Sequence, residues 1–138
     1  MSPGAEGVNA ARVRRLIEAL RDQDLDAFVA LLDPEVELEA QKGSFRGRDE
    51  VRRWATVSAD GQLYSRVQLD ELREIGDHVA ADARRQWRWR DGDELAEESK
   101  FAYLFELRDG KVLRWRQRFD SIVDAIEAIP VGQRDHSF

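Results

Sequence analysis

The 138-residue chain has no cysteine, and it holds only 2 histidines, 3 prolines and 1 methionine. Without thiols there is no disulfide scaffold, thiolate zinc site, iron–sulfur cluster or cysteine nucleophile to consider. No apolar stretch approaches the roughly 18 residues that argue for a membrane helix, and no basic-then-apolar leader opens the sequence. These two gaps carry the expectation of a cytoplasmic protein with no membrane partner. Lysine is scarce as well: 19 of the 22 basic residues are arginine, the exceptions being Lys42, Lys100 and Lys111. The net charge of −6 argues against general nucleic-acid affinity. No Ser/His/Asp order, HExxH motif, phosphate-binding glycine loop or EF-hand is present, so neither a metal nor a cofactor is expected. The histidines fall after a Gly-Asp turn (His78) and near the end (His136), where both are expected to be exposed.

What is present suffices for one core: 42% of residues are hydrophobic, among them 4 Trp, 2 Tyr and 6 Phe. Residues 1–7 read as a loose leader, 8–130 as a single domain and 131–138 as a tail without periodicity. Asn9 can cap a helix with Val13, Leu16, Ile17 and Leu20 on one face. Asp22 and Asp24 can cap a second that buries Leu25, Phe28, Leu31 and Leu32 and stops at Pro34. A strand follows at 36–40, a third helix at about 48–58, and then four strands near 63–75, 78–90, 98–108 and 111–119, punctuated by turn sequences such as Asp109-Gly110. Asp120 or Ser121 caps a last helix that ends at Pro130. This order predicts an α+β fold in which the helices gather on one side of a curved antiparallel sheet, leaving a conical cavity.

Strand alternation suggests what lines that cavity. On 111–119, Leu113, Trp115, Gln117 and Phe119 form one row and Arg114, Arg116 and Arg118 the other. Gln117 is then the lone polar group of an apolar row, to be satisfied by a neighbour or by a ligand. The preceding strand presents Phe101, Tyr103, Phe105 and Leu107, again with one polar tip. On 78–90 both parities stay open: the row with Arg85, Trp87 and Trp89, or the row with Arg84 and Gln86. The acidic cluster at 91–98 reads as a solvated hairpin tip. Glu37 and Glu39 could meet Arg114, Arg116 and Arg118 where their strands neighbour each other.

Four segments resemble a known family: Arg21-Asp-Gln-Asp-Leu-Asp-Ala-Phe28, Leu31-Leu-Asp-Pro-Glu-Val-Glu-Leu38, Phe45-Arg-Gly-Arg-Asp-Glu-Val-Arg-Arg-Trp54, and Arg108-Asp-Gly-Lys-Val-Leu-Arg-Trp-Arg-Gln-Arg-Phe-Asp120. Their order and spacing resemble the SnoaL-like branch of the nuclear transport factor 2-like superfamily over residues 9–129. The resemblance implies a cone-shaped barrel of curved antiparallel sheet on three to four helices, an apolar pocket and a homodimer formed through the sheet. Relatives include polyketide cyclases, ketosteroid isomerase, limonene epoxide hydrolase and scytalone dehydratase. Their catalytic groups are not retained here. The ketosteroid isomerase base position falls on Leu38, its helix-one tyrosine on Leu16 and its protonated aspartate on Tyr103. The aspartate of the epoxide hydrolase falls on Gln117, and that enzyme's Arg-x-Asp pair on Arg84 and Gln86.

The expected ligand is a small hydrophobic molecule with a carbonyl or anionic group, lined by Leu38, Trp54, Arg84, Gln86, Tyr103, Trp115, Gln117 and Phe119. Tyr103, Gln117 and Arg84 are the candidates for catalysis, with Arg85 a further arginine in view. Cofactor-independent isomerase, cyclase or dehydratase chemistry is the class the resemblance implies. The alternative is a non-catalytic module that binds a ligand or acts in interactions, dimerising through its sheet with the cone closed by its own Trp and Phe side chains.

Overall fold

The computed structural model describes residues 7–40, 43–56 and 63–130. The leader up to residue 6, the tail from 131 and His136 lie outside the described residues. The elements run α1 (Val8–Arg21), α2 (Leu25–Ala30), β1 (Leu32–Ala40), β2 (Gly43–Arg46), α3 (Gly47–Ala55), β3 (Leu63–Ile75), β4 (His78–Trp89), β5 (Leu95–Arg108), β6 (Lys111–Phe119) and α4 (Ile122–Glu127).

The helices form where their periodicity requires, but two of their signals differ from expectation. Gly7, not Asn9, is the N-cap of α1, and it offers no side-chain acceptor. Glu74 of β3 supplies one instead, accepting from the Ala10 N–H at 2.9 Å, which satisfies a donor that helix geometry leaves free. Asp24 does cap α2, accepting from the Ala27 N–H. That helix ends at Ala30 without help from Pro34, which lies inside β1. Pro34 is tolerated there because the pairing of β1 with β6 slips between Leu32 and Glu37, so its missing N–H falls where the ladder is already broken. Ser121, not Asp120, caps α4.

The six strands form one sheet in the order β2-β1-β6-β5-β4-β3. It is open, with β2 and β3 at its edges. It is also mixed, because β1 runs parallel to β6 while every other pair is antiparallel. The β5–β6 hairpin turns on Asp109 and Gly110, both with positive φ (52° and 79°), as a two-residue turn matched to strand twist requires.

The helices do not all share one side. The cluster around Val13, Leu16, Phe28, Leu38, Val51, Tyr103, Phe105 and Trp115 joins α1, α2 and α3 to the inner face. By contrast, α4 packs Ile122 and Ala125, with Ile129 just beyond its end, against Ala80, Ala102 and Leu104. These strand residues alternate with the inner ones, so α4 covers the outer face.

Besides the slip between β1 and β6, four irregularities reset the alternation. Between Leu69↔Ala83 and Leu72↔Ala81, β3 uses two residues where β4 uses one, so Leu69 and Leu72 both face inward. Between Trp87↔Glu97 and Arg88↔Leu95, β5 has the extra residue. On β6 the register slips twice: at Leu113, which makes Val112 the inner residue, and at Gln117-Arg118 opposite Tyr103. A β-bulge of this kind flips every following side chain to the other face.

Candidate functional site

The middle of the inner face is an aromatic group with Trp115 at its centre. Its ring lies 5.2 Å from Phe105 (stacked), 5.4 Å from Trp54 and 5.6 Å from Tyr103 (both edge-on), and 6.3 Å from Phe28. Phe101 adds a ring 5.1 Å from Tyr103, and Phe45 one 6.5 Å from Trp54. Leu38 is fully buried beside them, while Trp54 of α3 is half-buried. Edge-to-face and offset contacts of this kind are each favourable by about 0.5–1.5 kcal/mol beyond burial.

Within this apolar group, among the described residues, four buried polar groups have no acceptor for their N–H or O–H: Arg85 Nε, Tyr103 Oη, Trp115 Nε1 and Gln117 Nε2. Each can donate. Burying such a donor unpaired costs on the order of 1–3 kcal/mol. Tyr103 and Gln117 face each other across the β5–β6 bulge. Arg85 reaches in from β4, with its guanidinium 5.6 Å above the Phe101 ring. Burial pushes the Tyr103 phenol up to about 12 against the opposing charge of Arg85 and a hydrogen bond that Arg85 donates to its oxygen, so the hydroxyl keeps its proton at neutral pH. The four atoms include no carboxylate.

Of the expected lining, Leu38, Trp54, Tyr103, Trp115 and Gln117 meet on the inner face. Three residues do not join them. Arg84 lies on the outer face, its Nε and Nη2 donating to the two Asp70 carboxylate oxygens at 2.8 Å each, and this pairing raises its pKa. Gln86 shares that face and donates to Glu98 at 2.7 Å. Phe119 follows the Gln117-Arg118 bulge, pairs with Ala102 and packs on the α4 cluster, with the Arg116 guanidinium 5.1 Å over its ring. Of the two parities left open for β4, the row with Arg85 and Trp87 is the inner one. Arg85 is therefore the arginine of the site. The signal for it was the apolar company of its row, which outweighs the motif match at Arg84.

His78 also departs from expectation. It is only 5% exposed, and burial holds its imidazole below the ordinary histidine value despite nearby Glu106 and Asp77. Asp33, the buried carboxylate among the described residues, is held in structural contacts. It accepts from Arg108 at 2.9 and 3.2 Å and from the Glu35 N–H at 2.8 Å, and the Arg108 bonds lead in holding its carboxyl below the ordinary value. Two surface clefts lie apart from the aromatic group: one of about 370 Å³ near Arg21, Arg66 and Arg88, and one of about 270 Å³ beside His78.

A SnoaL-like domain family model matches residues 13–115. No curated protein matches the chain. Among solved structures it is similar to the LEH-like epoxide hydrolase of M. tuberculosis, at 19% identity and a TM-score of 0.68 over 87% of this chain and 83% of that one. It is similar to TerC co-crystallized with polyporic acid, at 21% identity and 0.66 over 85% and 95%. A Catenulispora acidiphila protein with a ketosteroid isomerase-like fold, in complex with trimethylamine, aligns at 16% identity and 0.65 over 84% and 89%. At these identities the likeness is one of fold.

Proposed function

The chain belongs to the SnoaL-like domain family, and on that premise we propose that it binds a small, largely apolar molecule through an oxygen acceptor, a carbonyl or a carboxylate, at Tyr103, Gln117, Trp115 and Arg85. The observation that carries this reading is the four buried donors without an acceptor. An acceptor placed among them would relieve several unpaired groups at once, and a guanidinium N–H among the donors favours negative charge on that oxygen. Two structural neighbours were solved with small organic molecules, which supports a ligand-holding use of this fold.

The same residues limit the chemistry. Donors polarise a carbonyl, but the group has no base to move a proton, since Leu38 and Gln117 stand where relatives resembling this chain carry carboxylates. Isomerase, cyclase or dehydratase turnover fits this reading only for a substrate that brings its own proton-transfer group. Calorimetric titration with benzoate, acetophenone and toluene tests the reading. Benzoate and acetophenone are expected to bind at least about tenfold more tightly than toluene, and Tyr103→Phe and Gln117→Leu each to remove about 1.4 kcal/mol of that preference. Equal affinity for all three probes, or no change in either variant, would overturn it.

A second reading, an interaction module that pairs through its sheet, draws on Trp87 and Trp89, inner-row residues left part-exposed, Trp89 at 44%. Sedimentation velocity on the native chain and on Trp89→Ser distinguishes it. A dimer lost in the variant supports this reading, and a monomer in both dismisses it.

A further inference from the structure

The outer face carries a row of charge that crosses five strands. His78 of β4 pairs in register with Glu106 of β5, Glu106 with Arg114 of β6, Arg114 with Glu37 of β1, and Glu37 with Arg46 of β2. Successive side chains approach to 3.8, 3.8, 3.6 and 3.3 Å. The signs alternate from Arg46 to Glu106, and then reach a histidine that burial keeps neutral. At that end of the row lies the cleft of about 270 Å³, lined by His78, Glu106, Arg114 and Arg116, with Leu104, Ala128 and Pro130 as its apolar wall.

The pairings around the cleft are incomplete. The His78 Nε2 to Glu106 Oε1 separation of 3.8 Å is too long for a hydrogen bond, yet one N–H-bearing group between them could reach both at ordinary distances. Arg114 sits 3.6 Å from Glu37 and 3.8 Å from Glu106, again beyond bonding distance, so its fork is not committed to either carboxylate. Arg116, by contrast, is held by Glu39 at 3.0 Å. A cleft with a carboxylate and a neutral imidazole at one end, whose Nε2 accepts when the proton is on Nδ1, an uncommitted guanidinium beside it and an apolar wall matches a ligand carrying both signs of charge. A simple anion would meet Glu106, and a simple cation would meet Arg114.

We propose that this outer-face cleft binds a small zwitterion of the α-amino acid kind. Its ammonium sits between His78 Nε2 and Glu106, its carboxylate lies on the Arg114 fork, and its side chain rests against Leu104, Ala128 and Pro130. The cleft is at the small end for ligand sites, which fits an occupant of this size. It shares no residue with the Tyr103 group, so either proposal stands or falls alone.

The test is an NMR titration of the full chain with L-leucine, read on the imidazole resonances and assigned with His78→Gln. The half-molecules 3-methylbutylamine and 4-methylpentanoate serve as comparison probes. Saturable shifts of His78 are expected with leucine at millimolar concentration, with each half-molecule at least about fivefold weaker. Glu106→Gln is expected to weaken leucine by a similar factor. Ala128→Phe, which fills the cleft and leaves the charged row intact, should abolish binding, while Arg84→Gln elsewhere on the same face changes nothing. The proposal is overturned by the absence of a saturable shift up to about 50 mM, by an amine that binds as well as leucine, or by unchanged binding in folded Ala128→Phe.

Discussion

The two faces of this sheet are made from the same strands, and neighbouring residues serve opposite ends. On the inner face Trp115 is surrounded by four rings and the unpaired groups are donors. One residue away, Arg114 and Arg116 stand in half-exposed rows where each cation is flanked by carboxylates. The inner face gains its stability from burial and leaves polar groups unsatisfied. The outer face sets opposite charges side by side at 3.0–3.8 Å, leaves the His78 Nδ1 buried without a partner, and buries its apolar side chains under α4.

The strongest way to break this contrast is to cut the centre of each face. Trp115→Ala should lose about 3–5 kcal/mol in urea unfolding, whereas Arg84→Ala, which removes a part-exposed pair, should lose less than about 1 kcal/mol. Similar losses from both would erase the distinction. Next in size, removing an unpaired inner donor should help folding: Tyr103→Phe and Gln117→Leu are each expected to raise the stability of the free protein by about 1 kcal/mol, even as they weaken benzoate binding. A loss instead would mean that these atoms have partners.

Titration sharpens the contrast further. Because burial raises the Tyr103 phenol, the unfolded chain loses that proton first, so stability should decline as pH rises from 10 toward about 12, and Tyr103→Phe should remove this decline. His78 acts on the acid side with the opposite sign. Its imidazole lies below 6.5 in the folded chain, so the unfolded chain takes up the proton first and stability should fall as pH drops through 6.5. His78→Gln should flatten that limb of the curve. The smallest effect belongs to the charged row: Glu37→Gln should cost under about 1 kcal/mol and matter less in high salt.

Most of the fold was legible because it is written in periods. The limits of β3 and β6 follow directly from alternation, and Glu37 and Glu39 do meet Arg114 and Arg116. What escaped were the bulges, since one extra residue in a strand changes no composition. The slip at Gln117-Arg118 carries Phe119 to the outer face, and the one near Leu113 hands the inner position to Val112. His78 escaped because a turn-flanking histidine gives no hint that the C-terminal end of α4 approaches it. The position of α4 escaped because an amphipathic helix announces that it has an apolar face, but not which side of a sheet that face will cover.

The parallel pairing of β1 with β6 bears on how the chain comes to be folded. Among the described strands, residues 32–40 pair with β2 and with residues 111–119 alone. A chain leaving the ribosome must therefore hold β1 and β2 in reserve, the β1 edge that will meet β6 unpaired, until nearly the whole sheet has been synthesised. Contacts so far apart in sequence slow the search for the native state. Assembly is thus tied to the arrival of the same strand that carries Trp115 and Gln117, and a chain cut short before β6 would lack both the site and the seam that holds its two halves together.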